Sequence, residues 1–240
     1  MKSILTILVC YSLLTFLPLA HAKKSNTMTC IINASEWGRL DETTERALDH
    51  ISNGQKPVSN SVGVSSDAGF YGPSYIVFNL PAFPAPVLFG RLRLQVDYIN
   101  GDEPEGTNTF VLYDSSDIDL LLQPLWDFEQ WLNAKDDLMS GREYGRFSVH
   151  NSPVDDGKTL TIPLTYDAIF DINDAAAEKF AFGLGPGAEG WIGHGENTGF
   201  STPDTDGLIQ LELTLVHAHN KQQARAPCSA FKKKKYRISN

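Results

Sequence analysis

Short segments in which apolar and polar residues alternate recur along the chain. In 90–98, GRLRLQVDY, the alternation places Leu92, Leu94, Val96 and Tyr98 on one face and charged residues on the other, which is the period of a half-buried β-strand. Residues rich in β-branched and aromatic side chains predict further strands at 75–80, 109–114, 144–150, 158–164, 180–184 and 208–216. Turn-forming residues separate most of these segments. The sequence therefore predicts a mainly all-β fold, an antiparallel β-sandwich that is jelly-roll-like.

Two segments have a helical rather than a strand-like pattern. In 118–139 four apolar residues fall near helical spacing, and the Ala-rich segment that follows Thr165 suits a helix that ends before Phe180. We therefore expect the sandwich to carry one or two short helical insertions.

Residues 1–22 have the composition of a secretory signal peptide. Lys2 gives a positive start, residues 4–19 are almost all apolar, and Ala20-His21-Ala22 has the pattern of a cleavage site. A membrane anchor is the alternative, but polar residues and a proline interrupt the run, which is shorter than the roughly 20 residues that span a bilayer. We expect a mature chain from about residue 23 without a transmembrane segment, secreted or periplasmic/extracellular, with one β-sandwich domain over 23–220.

Charge is distributed unevenly along the chain. The formal net charge is −9, but 221–240 carries +7 and 23–220 carries −17. The acidic body argues against nucleic acid as a partner, because phosphate binding needs cationic groups. The basic segment is expected to be a flexible tail, and the alternative is a clamp onto the acidic body or an anionic surface.

Cysteine usage fits an oxidising compartment. Removal of residues 1–22 would discard Cys10 and leave Cys30 and Cys228. An even number of cysteines in an exported chain predicts a Cys30–Cys228 disulfide. The bridge would close a loop of about 200 residues and stabilise the fold by on the order of 4 to 5 kcal/mol.

Four stretches carry a resemblance to a known family. They are YGPSYIVFNLP at 71–81, GRLRLQVDYINGD at 90–102, NTFVLYDSS at 108–116, and the strand-like runs within 143–184. In their order they resemble secreted bacterial jelly-roll proteins, many of them uncharacterised, that often carry a carboxyl-terminal sorting signal of the Pro-Glu-Pro type. The basic tail of this chain has no Pro-Glu-Pro element. The resemblance implies a jelly-roll fold and, because such folds are similar to carbohydrate-binding modules and to domains of surface or matrix proteins, binding of a glycan or surface component.

Motifs of common enzymes are missing from the sequence. There is no GxSxG elbow, no HExxH helix, no P-loop and no GxGxxG after a strand. Asp and Glu number 29, so chance pairs are numerous and the sequence alone does not select a glycosidase pair. The sequence leaves catalysis uncertain and favours a binding protein over an enzyme.

Two segments carry residues that metal ions favour. Asp114, Asp117 and Asp119 offer the hard oxygen ligands that Ca²⁺ prefers, although their spacing matches no EF-hand loop and a solvated acidic turn is the alternative. His217 and His219 would share one face of a strand, but no third ligand is identifiable. A structural calcium ion is the one cofactor that the sequence suggests.

The Gly-rich segment 183–199 contains the best candidate for ligand binding. Trp191, His194, Glu196 and Asn197 lie close together in it, and an aromatic ring flanked by hydrogen-bonding groups suits a sugar. The alternative is that Trp191 packs against the end of the sandwich.

These observations predict a secreted, non-catalytic protein that binds an extracellular glycan or a cell-surface component. A structural or protein-interaction component of the envelope or extracellular matrix is the alternative, and a secreted glycoside hydrolase with acidic residues near Trp191 is the third. An exposed aromatic strip beside polar groups would favour a glycan, and a dry apolar patch of several hundred Å² would favour a protein. Two carboxyl groups about 5 to 10 Å apart in a cleft would favour the hydrolase.

Overall fold

The computed structural model describes residues 27–41, 43–67, 70–100, 107–150, 157–187, 197–205 and 207–216. Thirteen strands and four α-helices lie within these ranges. The predicted signal peptide and the basic tail with Cys228 lie outside them, as do Trp191, His194 and Glu196.

Strands predominate in the described residues. In chain order they are β1 (Thr27–Asn33), β2 (Glu36–Leu40), β3 (Val58–Ser59), β4 (Val62–Asp67), β5 (Phe70–Gly72), β6 (Ser74–Asn79), β7 (Val87–Asn100), β8 (Thr107–Asp114), β9 (Glu143–His150), β10 (Thr159–Pro163), β11 (Lys179–Pro186), β12 (Asn197–Phe200) and β13 (Ile209–Val216). The helices are α1 (Thr44–Ser52), α2 (Ile118–Leu121), α3 (Phe128–Ser140) and α4 (Tyr166–Asp174), and a short 3₁₀ turn covers Pro203–Thr205. All seven strands predicted from the sequence are present.

The strands form two antiparallel sheets. The seven-stranded sheet has the order β1-β13-β7-β12-β4-β5, with β10 also paired to β7, and the six-stranded sheet has the order β3-β2-β6-β11-β8-β9. The chain passes from one sheet to the other between β5 and β6, again between β6 and β7, and again between β7 and β8, as connections do in jelly-roll folds. The predicted antiparallel β-sandwich is confirmed.

The core lies between the inner faces of the two sheets. Leu92 and Leu94 of β7 are fully buried there with Phe78 of β6 and Phe182 of β11. The rings of Phe78 and Phe182 meet edge to face, with centroids 5.9 Å apart, a geometry that aromatic pairs favour. The alternation predicted in 90–98 thus assigns Leu92, Leu94 and Val96 correctly to the inward side, and the side chain of Tyr98 lies outside the described part of the structure.

Three helices cover the outer face of the six-stranded sheet. Tyr75 and Val77 of β6 and Ala181 of β11 share a second buried cluster with residues of α1, α2 and α3, including Trp131. Strands β6 and β11 are therefore buried on both faces, which is why 180–184 shows no alternation in the sequence.

Close contact between α3 and β11 depends on a glycine. A Cβ atom at Gly183 would lie 2.5 Å from the carbonyl oxygen of Leu138 and 2.9 Å from its Cα. A side chain at this position would therefore push the backbone of α3 away from the sheet.

The described residues contain four helices, where the sequence predicts one or two helical insertions. Helix α1, which follows Thr43 as its N-cap, has no counterpart among the predicted elements. The single helix predicted over 118–139 is two helices, because Asp127 starts α3 with a capping box that it shares with Gln130.

Helix α4 closes one edge of the sandwich beside the start of β7. Ala168 and Ile172 are fully buried in the main core, and Asn173 hydrogen-bonds both the amide nitrogen and the carbonyl oxygen of Val87. The outer face of the seven-stranded sheet is left without a covering helix among the described residues.

Candidate functional site

The outer face of four neighbouring strands, β10, β7, β13 and β1, is open to solvent, and we call it the open face. In β1 every second residue from Thr27 to Asn33 is exposed. The outward residues of β7 and β13 are exposed or half-buried, and their inward neighbours are buried. On the six-stranded sheet, helices bury the outer face of β6 and β11, and exposed side chains lie at the edge strand β9.

A row of four polar side chains crosses the open face at right angles to the strands, and we call it the polar row. It consists of Thr161, Arg93, Gln210 and Asn33, since Thr161 pairs with Arg93, Arg93 with Gln210, and Gln210 with Asn33. Residues directly opposite in antiparallel strands point to the same face. The amide of Gln210 donates a hydrogen bond to Oδ1 of Asn33 at 3.0 Å, which orients both side chains.

The next row along the strands contains an ion pair. Nη2 of Arg91 lies 2.6 Å from Oε1 of Glu212, and this hydrogen bond, with the charge of Glu212, raises the pKa of Arg91 above its ordinary value. Pro163 and Ile31 complete the row at its two ends. Arg93, in contrast, makes no side-chain hydrogen bond or ion pair with the residues that the structure describes.

An open groove of about 510 Å³ lies at the β1 end of the polar row, and we call it the end groove. Its lining consists of Asn33, Ala34, Pro203, Gly207, Leu208, Ile209 and Gln210. The connection from β12 to β13 forms one wall, because Gly207 packs tightly against Ser201 and its amide bonds the Thr202 carbonyl. Two members of the polar row therefore also line the groove.

A second, smaller depression lies on the other side of the 3₁₀ turn. It measures about 240 Å³ and is lined by Ser35, Glu36, Trp37, Asn60, Tyr75 and Asp204. Nδ2 of Asn60 donates to Oδ2 of Asp204 at 2.7 Å. The indole nitrogen of Trp37 is buried and has no hydrogen-bond partner among the described residues.

Lys56 lies between aromatic rings beside α2. Its Nζ is 4.5 Å from the ring centroid of Trp126 and 5.2 Å from that of Tyr75, and it donates a hydrogen bond to the carbonyl oxygen of Leu121. Burial lowers the pKa of Lys56 to about 8, against the opposing influence of Glu36. Because the ammonium is enclosed by groups that hold the helix layer, its role is structural.

Asp171 is held by two donors between β9 and α4. Tyr144 donates its hydroxyl to Oδ2 of Asp171, and Nη2 of Arg142 lies 2.6 Å from the same oxygen. Burial, followed by the hydrogen bond to Asp171, raises the pKa of Tyr144 well above its ordinary range. Arg142 also contacts Asp114, so both carboxylates are engaged in ion pairing.

The three aspartates proposed as calcium ligands have different roles. Asp114 accepts a hydrogen bond from the backbone of Arg142, and Asp117 caps α2 by accepting from the amide of Leu120 at 2.9 Å. Asp117 and Asp119 line a depression of about 340 Å³ that Asp114 does not line. Within the described residues, no group of three or more His, Cys, Asp or Glu side chains is arranged to hold a metal ion.

Most of the residues predicted to bind a glycan lie outside the described residues. Trp191, His194 and Glu196 belong to 188–196, and Asn197 is the first residue of β12, where it pairs with Ser65 and Asn100. The segment therefore leads directly into the seven-stranded sheet. Of the predicted disulfide, Cys30 is a fully buried residue of β1, and the pairing with Cys228 stays a prediction.

The open face was not predicted, although the sequence contains a pattern that indicates its outward residues. The polar positions at 91 and 93, at 159 and 161, and at 210 and 212 have the two-residue period of outward strand positions. These positions show which side chains face outward, but they do not reveal which strands lie side by side.

No family model matches the chain, and no curated protein matches its sequence significantly. The resemblance to secreted jelly-roll proteins therefore stays a prediction. Among the described residues, no helix has the length and apolar character needed to cross a membrane.

Proposed function

We propose that this protein is a secreted, non-catalytic binding protein and that it holds an extracellular glycan on the open face. The observation that carries the proposal is the polar row of Thr161, Arg93, Gln210 and Asn33 on a sheet that no described helix covers. The predicted signal peptide and disulfide support an extracellular setting.

The chemistry of the polar row suits sugar hydroxyl groups. A hydroxyl both donates and accepts hydrogen bonds, and the row offers the amides of Gln210 and Asn33, the hydroxyl of Thr161 and the guanidinium of Arg93. The groups are half-buried or exposed, and the strands fix their backbone, so no loop has to be ordered to bring them together on binding. Segment 188–196 with Trp191 leads into the same sheet and is proposed to supply a ring for stacking.

A second candidate is a protein-interaction role, which exposed apolar residues favour. The register of β7 against β13 shifts near Leu88, so that both Leu88 and Phe89 are exposed, Phe89 to 69%. Tyr166 and Phe170, four residues apart on α4, are 81% and 61% exposed. Bulges often mark functional positions at sheet edges.

The test is a glycan-array screen with protein exported from the full chain, followed by titration of the best-bound glycan. We expect Arg93→Ala to weaken binding at least tenfold, because a charged donor contributes roughly 1.5 to 3 kcal/mol to a hydrogen bond. The matched control is Arg39→Ala on β2 of the six-stranded sheet, another half-buried strand arginine, which we expect to bind like the wild type.

Three outcomes would contradict the proposal. If Arg93→Ala and Arg39→Ala weakened glycan binding equally, the open face would not be the binding surface. Absence of any bound glycan, with circular dichroism showing a folded protein, would shift the weight to the protein-interaction role. Release of reducing ends from a bound glycan would identify a hydrolase.

A further inference from the structure

We infer that the ligand of the open face is an extended oligosaccharide chain that lies across the strands along the polar row and has one end in the end groove. This inference rests on the proposed function and specifies the shape, direction and minimum length of the glycan.

The direction follows from the arrangement of polar groups. Neighbouring strands lie roughly 4.8 Å apart, so the four strands of the polar row cover about 14 Å from Thr161 to Asn33. A single pyranose ring is about as wide as one such spacing and would contact two members of the row at most. All four members can be satisfied together only by several sugar units in line.

The row on one side of the polar row offers a sugar chain fewer free hydrogen-bonding groups. On one side Arg91 and Glu212 satisfy each other, and Pro163 and Ile31 offer no charged group. A chain displaced onto that row would have to compete with the ion pair for hydrogen bonds. Arg93, in the middle of the polar row, makes no side-chain hydrogen bond with the described part of the chain, so a sugar on the polar row meets no such competition there.

The groove gives the chain a defined end. Asn33 and Gln210 belong to both the polar row and the end groove, whereas Thr161 lies at the opposite end, on β10. A short ligand gains most contact in the concave groove and therefore occupies the Asn33 end first. Longer ligands extend from there toward Thr161.

The experiment is calorimetric titration with cello-oligosaccharides and chito-oligosaccharides of one to six sugar units. For the series that binds, we expect affinity to rise roughly fivefold per added unit up to about four units and then to level off, since each unit adds about one hydrogen bond. Asn33→Ala should weaken binding of every length. Thr161→Ala should weaken the four-unit ligand roughly fivefold and leave the two-unit ligand unchanged.

The controls separate this inference from the proposed function. Arg39→Ala should match the wild type at every length. Binding that is equally strong for one and four units, or loss of the two-unit ligand in Thr161→Ala, would overturn the extended arrangement while leaving glycan binding intact. Array binding confined to compact or branched glycans, with neither series bound, would also overturn it. Absence of binding to every glycan on the array removes the proposed function itself and this inference with it.

Discussion

A methyl group at Gly183 tests whether the helix layer is held by direct backbone contact with the sheet. The Cβ of Gly183→Ala would lie 2.5 Å from the carbonyl oxygen and 3.0 Å from the carbonyl carbon of Leu138. These are backbone atoms inside α3, so the helix must move as a whole. Overpacking of this kind costs roughly 1 to 3 kcal/mol, occasionally more, and the smaller conformational freedom of unfolded alanine returns about 0.4 to 1 kcal/mol.

Gly185, two residues further along β11, is the matched control. A Cβ there would meet Cγ of Met139 at 3.2 Å and the ring of Tyr113 at 3.3 Å. Both contacts are with side-chain atoms, and the flexible side chain of Met139 can move at low cost. We therefore expect Gly183→Ala to be less stable than Gly185→Ala by about 1 to 3 kcal/mol, with Gly185→Ala within about 1 kcal/mol of the wild type.

Urea unfolding followed by tryptophan fluorescence measures this difference, because Trp131 is fully buried in α3. Circular dichroism provides a second probe and tests whether unfolding is two-state. Equal midpoints and equal slopes for the two variants would refute the reasoning that α3 touches β11 through its backbone.

Three further outcomes follow from the described residues. The pKa of Lys56 is about 8 in the folded protein and about 10.5 for an ordinary lysine, so unfolded molecules bind more protons between these values and stability rises with pH through this window. After allowance for solvent screening the rise amounts to about 1 to 2 kcal/mol; urea unfolding at pH 7.5 and 9.5 should show it in the wild type and not in Lys56→Met. Tyr144→Phe should cost about 1 kcal/mol in the same assay, because Asp171 keeps its arginine partner, and no loss would contradict the hydrogen bond. Maleimide should label neither Cys30 nor Cys228 in the denatured, unreduced exported protein, and labelling of both would disprove the predicted disulfide.

The sequence pattern predicted the sandwich because, in a half-buried strand, the alternation of apolar and polar residues shows which side faces the core. In β7 the alternation of Leu92 and Leu94 with Arg91 and Arg93 identifies inward and outward positions without knowledge of the fold. Strands β6 and β11 required a different signal, since both of their faces are buried. Their apolar runs predicted strands, but the helix layer that buries their second face could not be inferred from them.

The polar row could not be predicted, for a reason of topology. Asn33 and Gln210 form a hydrogen bond although they are 177 residues apart in the chain, and nothing local to either residue specifies the pairing of β1 with β13. The end groove likewise depends on the packing of Gly207 against Ser201 in a connection between strands. For the three aspartates at 114, 117 and 119, proximity in sequence does not fix where the side chains lie: Asp117 and Asp119 line one depression, whereas Asp114 accepts a hydrogen bond from the backbone of Arg142.

Helices cover the outer face of one sheet and leave that of the other open, and this difference bears on the kind of ligand that we propose. The outer face of the six-stranded sheet is apolar at Tyr75, Val77 and Ala181, and helices bury it. The open face is polar at Arg93, Gln210, Arg91 and Glu212 of its central strands, and a polar surface gains little from burial under an apolar layer. Burial of such a face becomes favourable only when the partner satisfies its hydrogen-bonding groups. Under the proposed function a glycan chain would satisfy them with its hydroxyl groups, which is why we propose the uncovered sheet as the binding surface.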